Sequence, residues 1–432
     1  MTGFVIVGAG QAGASLAAKM RALGFGGPVT LIGEEPAPPY QRPPLSKGYL
    51  LREMDLERLY LRAPSFWKEN EINLKLGAPV TSINRSTKVV RVGDQSIPYY
   101  KLALTTGSRP RQMPATAGSS LKGVYTIRTL ADVDAMAAEF QPDRKLLIVG
   151  GGYLGLEAAA VGVKLGLGIT LIEMAPRILQ RVAAPLTSDY FRNLHSNHGV
   201  EILENTGLDR LTGRGRVSGA VLSNGMKIPV DFVIVAIGVA PRTSIAEEAG
   251  LEIDNGIRTD GQGCTSDPNV WSAGECASFP YEGRRIRLES VGHAIDHAEL
   301  VAGNMLGASE NYRAKPWFWS DQYDIKLQIA GLNTGYDQIV ERRVDHERSR
   351  SIWYYKEGQL LAVDAINDPR AYMVGKRIIE AGQTVAPEHV LDTSKDVKTL
   401  LSGATKVATV CDLKRLTRRH QKNGHPTSSP DR

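Results

Sequence analysis

A chain of 432 residues, 42% hydrophobic and 23% charged, is ordinary for a soluble protein of two to four domains. No run approaches the about 20 apolar residues of a membrane span, and the longest, residues 232–240, reads as a buried strand. Three cysteines without paired spacing (Cys264, Cys276, Cys411) exclude a disulfide framework, a zinc site and a cysteine-ligated cluster. After residue 406 six Lys/Arg against two Asp account for +4 of the formal +6, so the body carries only +2. No nucleic-acid partner is expected from so balanced a body, nor any membrane partner. A strand beginning at Phe4 leaves no room for a signal peptide, so the expected location is cytoplasmic.

In chain order, residues 4–7 form a strand that meets Gly8, Gly10, Ala12 and Gly13, and a helix follows to about Leu23. Val29–Ile32 is the next strand, with Glu34 standing 21 residues after Gly13. The first glycine makes the turn, the second lets a pyrophosphate approach and the third packs helix on strand, while the acid suits a ribose hydroxyl. YQRPPLSK (residues 40–47) follows, an extended stretch stiffened by two prolines, in which Ser46 could cap a helix through Lys47. A cation at a helix start opposes the dipole, which favours a buried or cofactor-facing task for Lys47 over a surface one. Residues 80–83 and 89–92 read as short antiparallel strands, and residues 102–105 as a strand returning to Gly107. A linker through Arg128 and a helix over residues 131–140 lead to a second strand, residues 146–149.

That strand opens the same grammar again. Gly150, Gly152 and Gly155 frame Tyr153 and Leu154 at a helix start, and Glu173 ends the following strand 18 residues after Gly155. The strand over residues 232–237 closes at Gly238, as the first unit closes at Gly107. The two motifs begin 142 residues apart, and the chain reads as a duplicated dinucleotide-binding domain. Glu173 would accept a ribose 2′-hydroxyl and repel a 2′-phosphate, and Met174 and Ala175 follow it rather than arginines, which favours NADH. A strand over TSDPNVWSAGE (residues 265–275) and a helix over residues 290–305 come next. Aromatic-punctuated alternating segments from Lys315 then form a separate α+β domain with a helix near residues 373–381. The basic residues 407–432 lack apolar periodicity and are expected to be disordered.

Two dinucleotide units followed by TSDPNVWSAGE resemble the two-dinucleotide-binding flavoproteins, with the glutathione-reductase-like fold. YQRPPLSK, GGGYLGLE, SAGECA, LESVGHA and PWFWSDQYD together resemble the FAD-dependent ferredoxin reductases of oxygenase systems, over about residues 4–400. The resemblance implies a discontinuous FAD domain (1–115 and 241–315), an NADH domain (116–240) and an interface domain (316–406). FAD, held non-covalently, would be contacted by the first glycine turn with Ala12, and by Glu34 (or Glu35), Lys47 near N5/O4, Val80, Arg128, Glu275, Val291 and Trp319. The second turn would hold NADH, with Glu157 facing the nicotinamide and able to pair with Lys47. Three departures stand out: Glu275 where the family has Asp, Gly292-His293 where it has Gln-Asn or Pro-Asn, and the basic tail.

Hydride transfer needs nicotinamide C4 over flavin N5 and no protein acid or base. Lys47 would offset the negative charge developing near N5/O4, and Glu157 would restrain that lysine. PPLSK stands where disulfide reductases of this superfamily carry paired cysteines, so electrons must leave singly, with Trp319 between ring and surface. The acceptor implied is a 2Fe–2S ferredoxin feeding a haem-thiolate or Rieske oxygenase, docked on residues such as Arg284, Arg285, Arg313 or Lys315, with the reductase a monomer or weak dimer. A rubredoxin reductase, an NADH oxidase or a redox sensor resembling apoptosis-inducing factor are the alternatives. The pairs His195/His198 and His293/His297 have metal-compatible spacing, but nothing completes either set, and no metal is expected.

Overall fold

The computed structural model describes residues 2–343 and 348–406; the tail expected to be disordered, with Cys411, lies outside the described residues. The chain divides into two compact units between Lys326 and Leu327.

The first unit contains the same sheet twice. One parallel core runs Ile72–Lys75, Val29–Ile32, Gly3–Val7, Gln95–Leu104 and Val270–Ser272. The antiparallel strands Val80–Asn84 and Val89–Val92 are continued by the N-terminal half of Gln95–Leu104. The other core runs Glu201–Leu203, Gly168–Ile172, Lys145–Val149, Phe232–Val235 and Val124–Tyr125, all parallel. Its antiparallel insert is Leu208–Gly213, Val217–Leu222 and Lys227–Pro229. A short ribbon of Ser108–Pro110 against Val239–Pro241 ties the two halves together. Strands buried on both faces explain the continuous apolar runs FVIV and LLIV.

Helices Gln11–Ala22 and Tyr153–Lys164 follow the two central strands. Val291–Met305, N-capped by the Ser290 hydroxyl, packs Ala294, Ala298, Val301 and Met305 into one apolar cluster with Leu16, Ala17 and Met20 of the first helix. Thr129 and Asp132 form a capping box at Leu130–Met136, on the crossover between the halves.

Three expectations need correction. Ser46 caps no helix: Pro43 and Pro44 close a single 3-10 turn, Pro43–Ser46, of which Ser46 is the last residue. Of residues 265–275 only Val270–Ser272 is strand, because only these three find a parallel partner beside Gln95–Leu104. Phe232–Val235 stops two residues before Ile237, where the chain turns into the ribbon.

The second unit is an antiparallel sheet in the order Ile325–Gly331, Gln359–Ile366, Arg350–Lys356, Gln338–Arg343, covered by helix Pro369–Glu380. Gly375 brings that helix close, since a Cβ there would press on Val363 at 2.6 Å. Among the described residues no helix is long and apolar enough to cross a membrane.

Candidate active site

Both glycine turns are built alike. Gly8 and Gly150 have φ of +113° and +110°, and a Cβ on either would run into the carbonyl of the returning segment, Thr105 or Ala236. Gly13 and Gly155 admit no Cβ because the carbonyl oxygens of Gly8 and Gly150 lie against them. A Cβ on Gly10 or Gly152, by contrast, would meet nothing within 4 Å. No side chain caps either helix start, so their first N–H groups are left for an anion. Both turns therefore fit a dinucleotide pyrophosphate.

A cavity of about 520 Å³ opens at the first turn. Of the residues expected to hold FAD, Gly8, Gly10, Ala12, Glu34, Lys47, Val80, Arg128, Glu275, Val291 and Trp319 line it; Gly13 is inside the helix–strand packing. Tyr153, Leu154 and Glu157, from the second glycine-turn half of the first unit, also reach it, so one cavity joins the two dinucleotide halves. Its volume and mixed lining suit a bound organic cofactor.

The charges around it are paired. Glu34 meets Arg242 at 2.6 Å and is half-exposed, whereas Glu35 is held by Arg42 at 2.6 Å and by the Tyr40 hydroxyl. Arg42 also donates to the Arg128 carbonyl at 2.5 Å. Glu275 accepts from Arg128 at 2.9 Å and from Ser108 at 2.6 Å. Burial opposes the Glu275 charge, but Arg128, Ser108 and Arg42 outweigh it and hold the carboxyl below its ordinary range. Glutamate in place of aspartate thus fits between Arg128 and Ser108.

Lys47 and Glu157 form an ion pair at 2.7 Å, with side-chain exposures of 19% and 6%. The same Glu157 oxygen accepts from Ser46 at 2.9 Å, and the other accepts from Ser320 at 2.7 Å. With three protein donors, Glu157 is fixed as the anchor of Lys47. Trp319 stacks on Trp317 at 5.4 Å, and Phe318 lies 4.9 Å from Tyr153. Gly292 leaves the space that the Trp317 indole occupies, since a Cβ there would collide with it. Lys47, Val291 and Trp319 also line an outer groove of about 990 Å³ with Lys19, Arg62 and Asp321.

Gly150, Gly152, Gly155, Glu173 and Gly238 do not line the cavity, and the second turn faces elsewhere. Glu173 accepts from the backbone N–H of Gly151 and of Ala175, both at 2.8 Å. Arg177 is turned away onto Ser188 at 2.5 Å and the Gln180 carbonyl. Gly238, with φ of +89°, lies in the turn between the returning strand and the ribbon, near the Arg181 guanidinium.

The histidine pairs have other tasks. His293 stacks on Phe279 at 5.0 Å, with Nδ1 3.0 Å from the Tyr312 hydroxyl, and His297 stacks on Tyr312. His195 bonds Gln322 and Tyr323. Among the described residues no group of three His, Cys, Asp or Glu could hold a metal ion. Arg285 is committed to the carbonyls of Thr259 and Ser278, leaving Arg284, Arg313 and Lys315 as the exposed basic residues of that set. The sequence reading missed Arg42, Ser46, Ser108 and Ser320. Three of these stand inside motifs already singled out, and their neighbours on distant strands gave no sequence signal.

Paired dinucleotide folds meeting at one cavity, with a lysine held by a buried glutamate between them, define a flavin- and nicotinamide-linked oxidoreductase. Residues 2–298 match the family model described as pyridine nucleotide-disulphide oxidoreductase, and residues 317–401 match that described as reductase C-terminal. The chain is 42% identical over 389 residues to a ferredoxin–NAD(P)+ reductase of Sphingomonas sp., covering 89% of this chain and 94% of the relative. It is 39% identical to rhodocoxin reductase of Rhodococcus erythropolis, covering 91% and 93%. The solved covalent putidaredoxin reductase–putidaredoxin complex superposes with a TM-score of 0.90 at 36% identity, covering 93% of this chain and 98% of that one. The chain belongs to the ferredoxin reductase family of pyridine nucleotide-disulphide oxidoreductases. Membership implies FAD and NAD(P)H as cofactors.

Proposed function

We propose that this oxidoreductase takes a hydride from NADH and passes electrons singly to a 2Fe–2S ferredoxin that supplies a haem-thiolate or Rieske oxygenase. The observation that carries the reading is the cavity lined by both the first glycine turn and the helix start that follows the second. FAD, when bound, accepts the hydride and releases electrons one at a time. Gly8, Gly10, Ala12 and Gly13 would cradle its pyrophosphate at the helix start, with Arg42 and Arg128 as the nearby cations. Lys47 would place positive charge at N5/O4, with Glu157 fixing its direction. Val291 and Trp319 would bound the ring, and Trp319, which lines both the cavity and the outer groove, would sit on the path to the acceptor.

Support for NADH over NADPH comes from Glu173, tethered at the second turn, and from Arg177, engaged elsewhere. The same reading assigns residues 1–115 and 241–315 to FAD, 116–240 to NADH and 316–406 to the acceptor side, in a monomer or weak dimer. Stopped-flow reduction by NADH and NADPH, with 2Fe–2S ferredoxins as acceptors, tests it. Rapid bleaching by NADH with fast ferredoxin reduction is expected. Electrons passing to oxygen alone, or a long-lived charge-transfer complex without turnover, would overturn it.

A further inference from the structure

His195 lies at the C-terminal end of helix Pro185–Asn197, is fully buried, and belongs to neither glycine turn. Its Nε2 is 2.8 Å from Gln322 Oε1, and its Nδ1 is 3.0 Å from the Tyr323 hydroxyl. Gln322 Nε2 donates to Ser320 Oγ at 3.1 Å, and Ser320 donates to Glu157 Oε1 at 2.7 Å. Glu157 Oε2 takes Lys47 at 2.7 Å and Ser46 at 2.9 Å. Ser320 and Gln322 are fully buried, so none of these groups can exchange its partner for water without cost.

Donor and acceptor capacities leave one consistent assignment. The carboxylate paired with Lys47 can only accept, so the Ser320 hydroxyl donates to it. The Ser320 oxygen then accepts from the Gln322 amide, which turns the amide oxygen toward His195. The proton on that ring must sit on Nε2, and Nδ1 must accept from Tyr323. Burial keeps the imidazole neutral, moving it down to about 4, as this arrangement requires. Every bond in the file points toward Glu157.

We propose that the file Tyr323–His195–Gln322–Ser320 positions Glu157, and through it Lys47, so that His195 and Gln322 are positioning residues for hydride transfer. The proposal rests on the reading of Lys47 given above. A carboxylate with one oxygen tied to Lys47 and Ser46 keeps its torsional freedom, and the Ser320 bond removes it. A lysine on a flexible four-carbon stem gains a fixed direction only if its anchor is fixed. The same helix supplies Ser188, whose hydroxyl donates to the Ile178 carbonyl at 2.7 Å beside the second glycine turn. One helix thus braces both the second glycine turn and the Lys47 anchor.

The test uses the holoprotein labelled with 15N-histidine, with the His195 signals identified by their loss in His195→Gln. At pH 7 a neutral Nε2–H tautomer is expected, and an imidazolium or an Nδ1–H tautomer would overturn the assignment. Ser320→Ala, a change of one hydroxyl, and His195→Leu should each slow flavin reduction at saturating NADH about tenfold, as a small misplacement of a reacting group does. NADH affinity should stay within about twofold, since the loss falls on positioning rather than binding. His195→Gln, which keeps an amide N–H near the Nε2 position, should restore most of the rate. If Lys47→Met slows reduction while Ser320→Ala and His195→Leu do not, the file is packing alone and the proposal fails. If Lys47→Met also leaves the rate untouched, the reading of Lys47 falls and the role of the file falls with it.

Discussion

The two glycine turns share a backbone and differ in everything around it. The first opens into a cavity of about 520 Å³; of its acids, Glu34 is held by Arg242 from a distant segment and Glu35 by the nearby Arg42. The second lies outside that cavity, and its acid, Glu173, is tethered by main-chain N–H groups of its own unit. A cavity ringed by paired charges suits a cofactor that stays, while a turn outside it, with its acid tied to its own main chain, suits a dinucleotide that comes and goes. On the reading proposed above, two turns of one backbone geometry serve a prosthetic site and a substrate site, and the surrounding side chains make the difference.

The largest effect expected comes from matched changes at the two turns. Gly13→Ala and Gly155→Ala each press a methyl onto a carbonyl oxygen, a strain of about 1–3 kcal/mol. Gly13→Ala should yield protein without flavin, by absorbance, whereas Gly155→Ala should remain yellow but resist bleaching by NADH. The same outcome in both would erase the distinction drawn here.

Lys47→Met, which removes the cation between the two sites, should lower the limiting rate of flavin reduction about a hundredfold, in the range for losing one electrostatic stabiliser. Its NADH affinity should not change, and stopped-flow titration separates the two quantities.

Glu173→Ala should weaken NADH about tenfold, as expected for losing a hydrogen bond to a charged group, without affecting retained flavin. Titration of the holoprotein with NADH measures this. A fall in flavin content instead would mean that the two acids do not divide the labour as described.

The smallest effect is on stability against pH. His195 is buried neutral, its pKa lowered from 6.5 to about 4. The unfolded chain therefore binds a proton that the folded one refuses, so stability is complete above pH 6.5 and declines as pH falls toward 4. His293 and His297, buried among Phe279 and Tyr312, act in the same direction. His195→Gln should flatten part of this slope and recover about 3–5 °C in Tm near pH 4.5, by calorimetry. An unchanged slope would assign the whole effect to the other pair.

Much of this architecture was legible because its determinants are local. A strand, a glycine requiring positive φ, and a helix start occupy about a dozen consecutive residues, so the spacing alone located both turns. Local reasoning failed where a neighbour far along the chain decided the outcome. Ser46 reads as a helix cap by residue type, yet two prolines tighten its turn and its hydroxyl finds Glu157. Residues 265–275 read as one strand, but only Val270–Ser272 has a partner. For His195 and His198, where no metal is expected, the actual partners were not legible: one bonds Gln322 and the other stacks on Tyr323 at 3.8 Å.

By itself, then, the sequence determined the repeated unit, the dinucleotide turns, their acids and the lysine motif, because backbone sterics and side-chain periodicity act over short stretches. Only the tertiary structure decided which acid meets which arginine, that Glu157 is the buried anchor of Lys47, and that a file from Tyr323 ends on it. Most of those pairings join residues more than a hundred positions apart, and hydrogen-bond directions between buried groups exist only once the fold has excluded water from them.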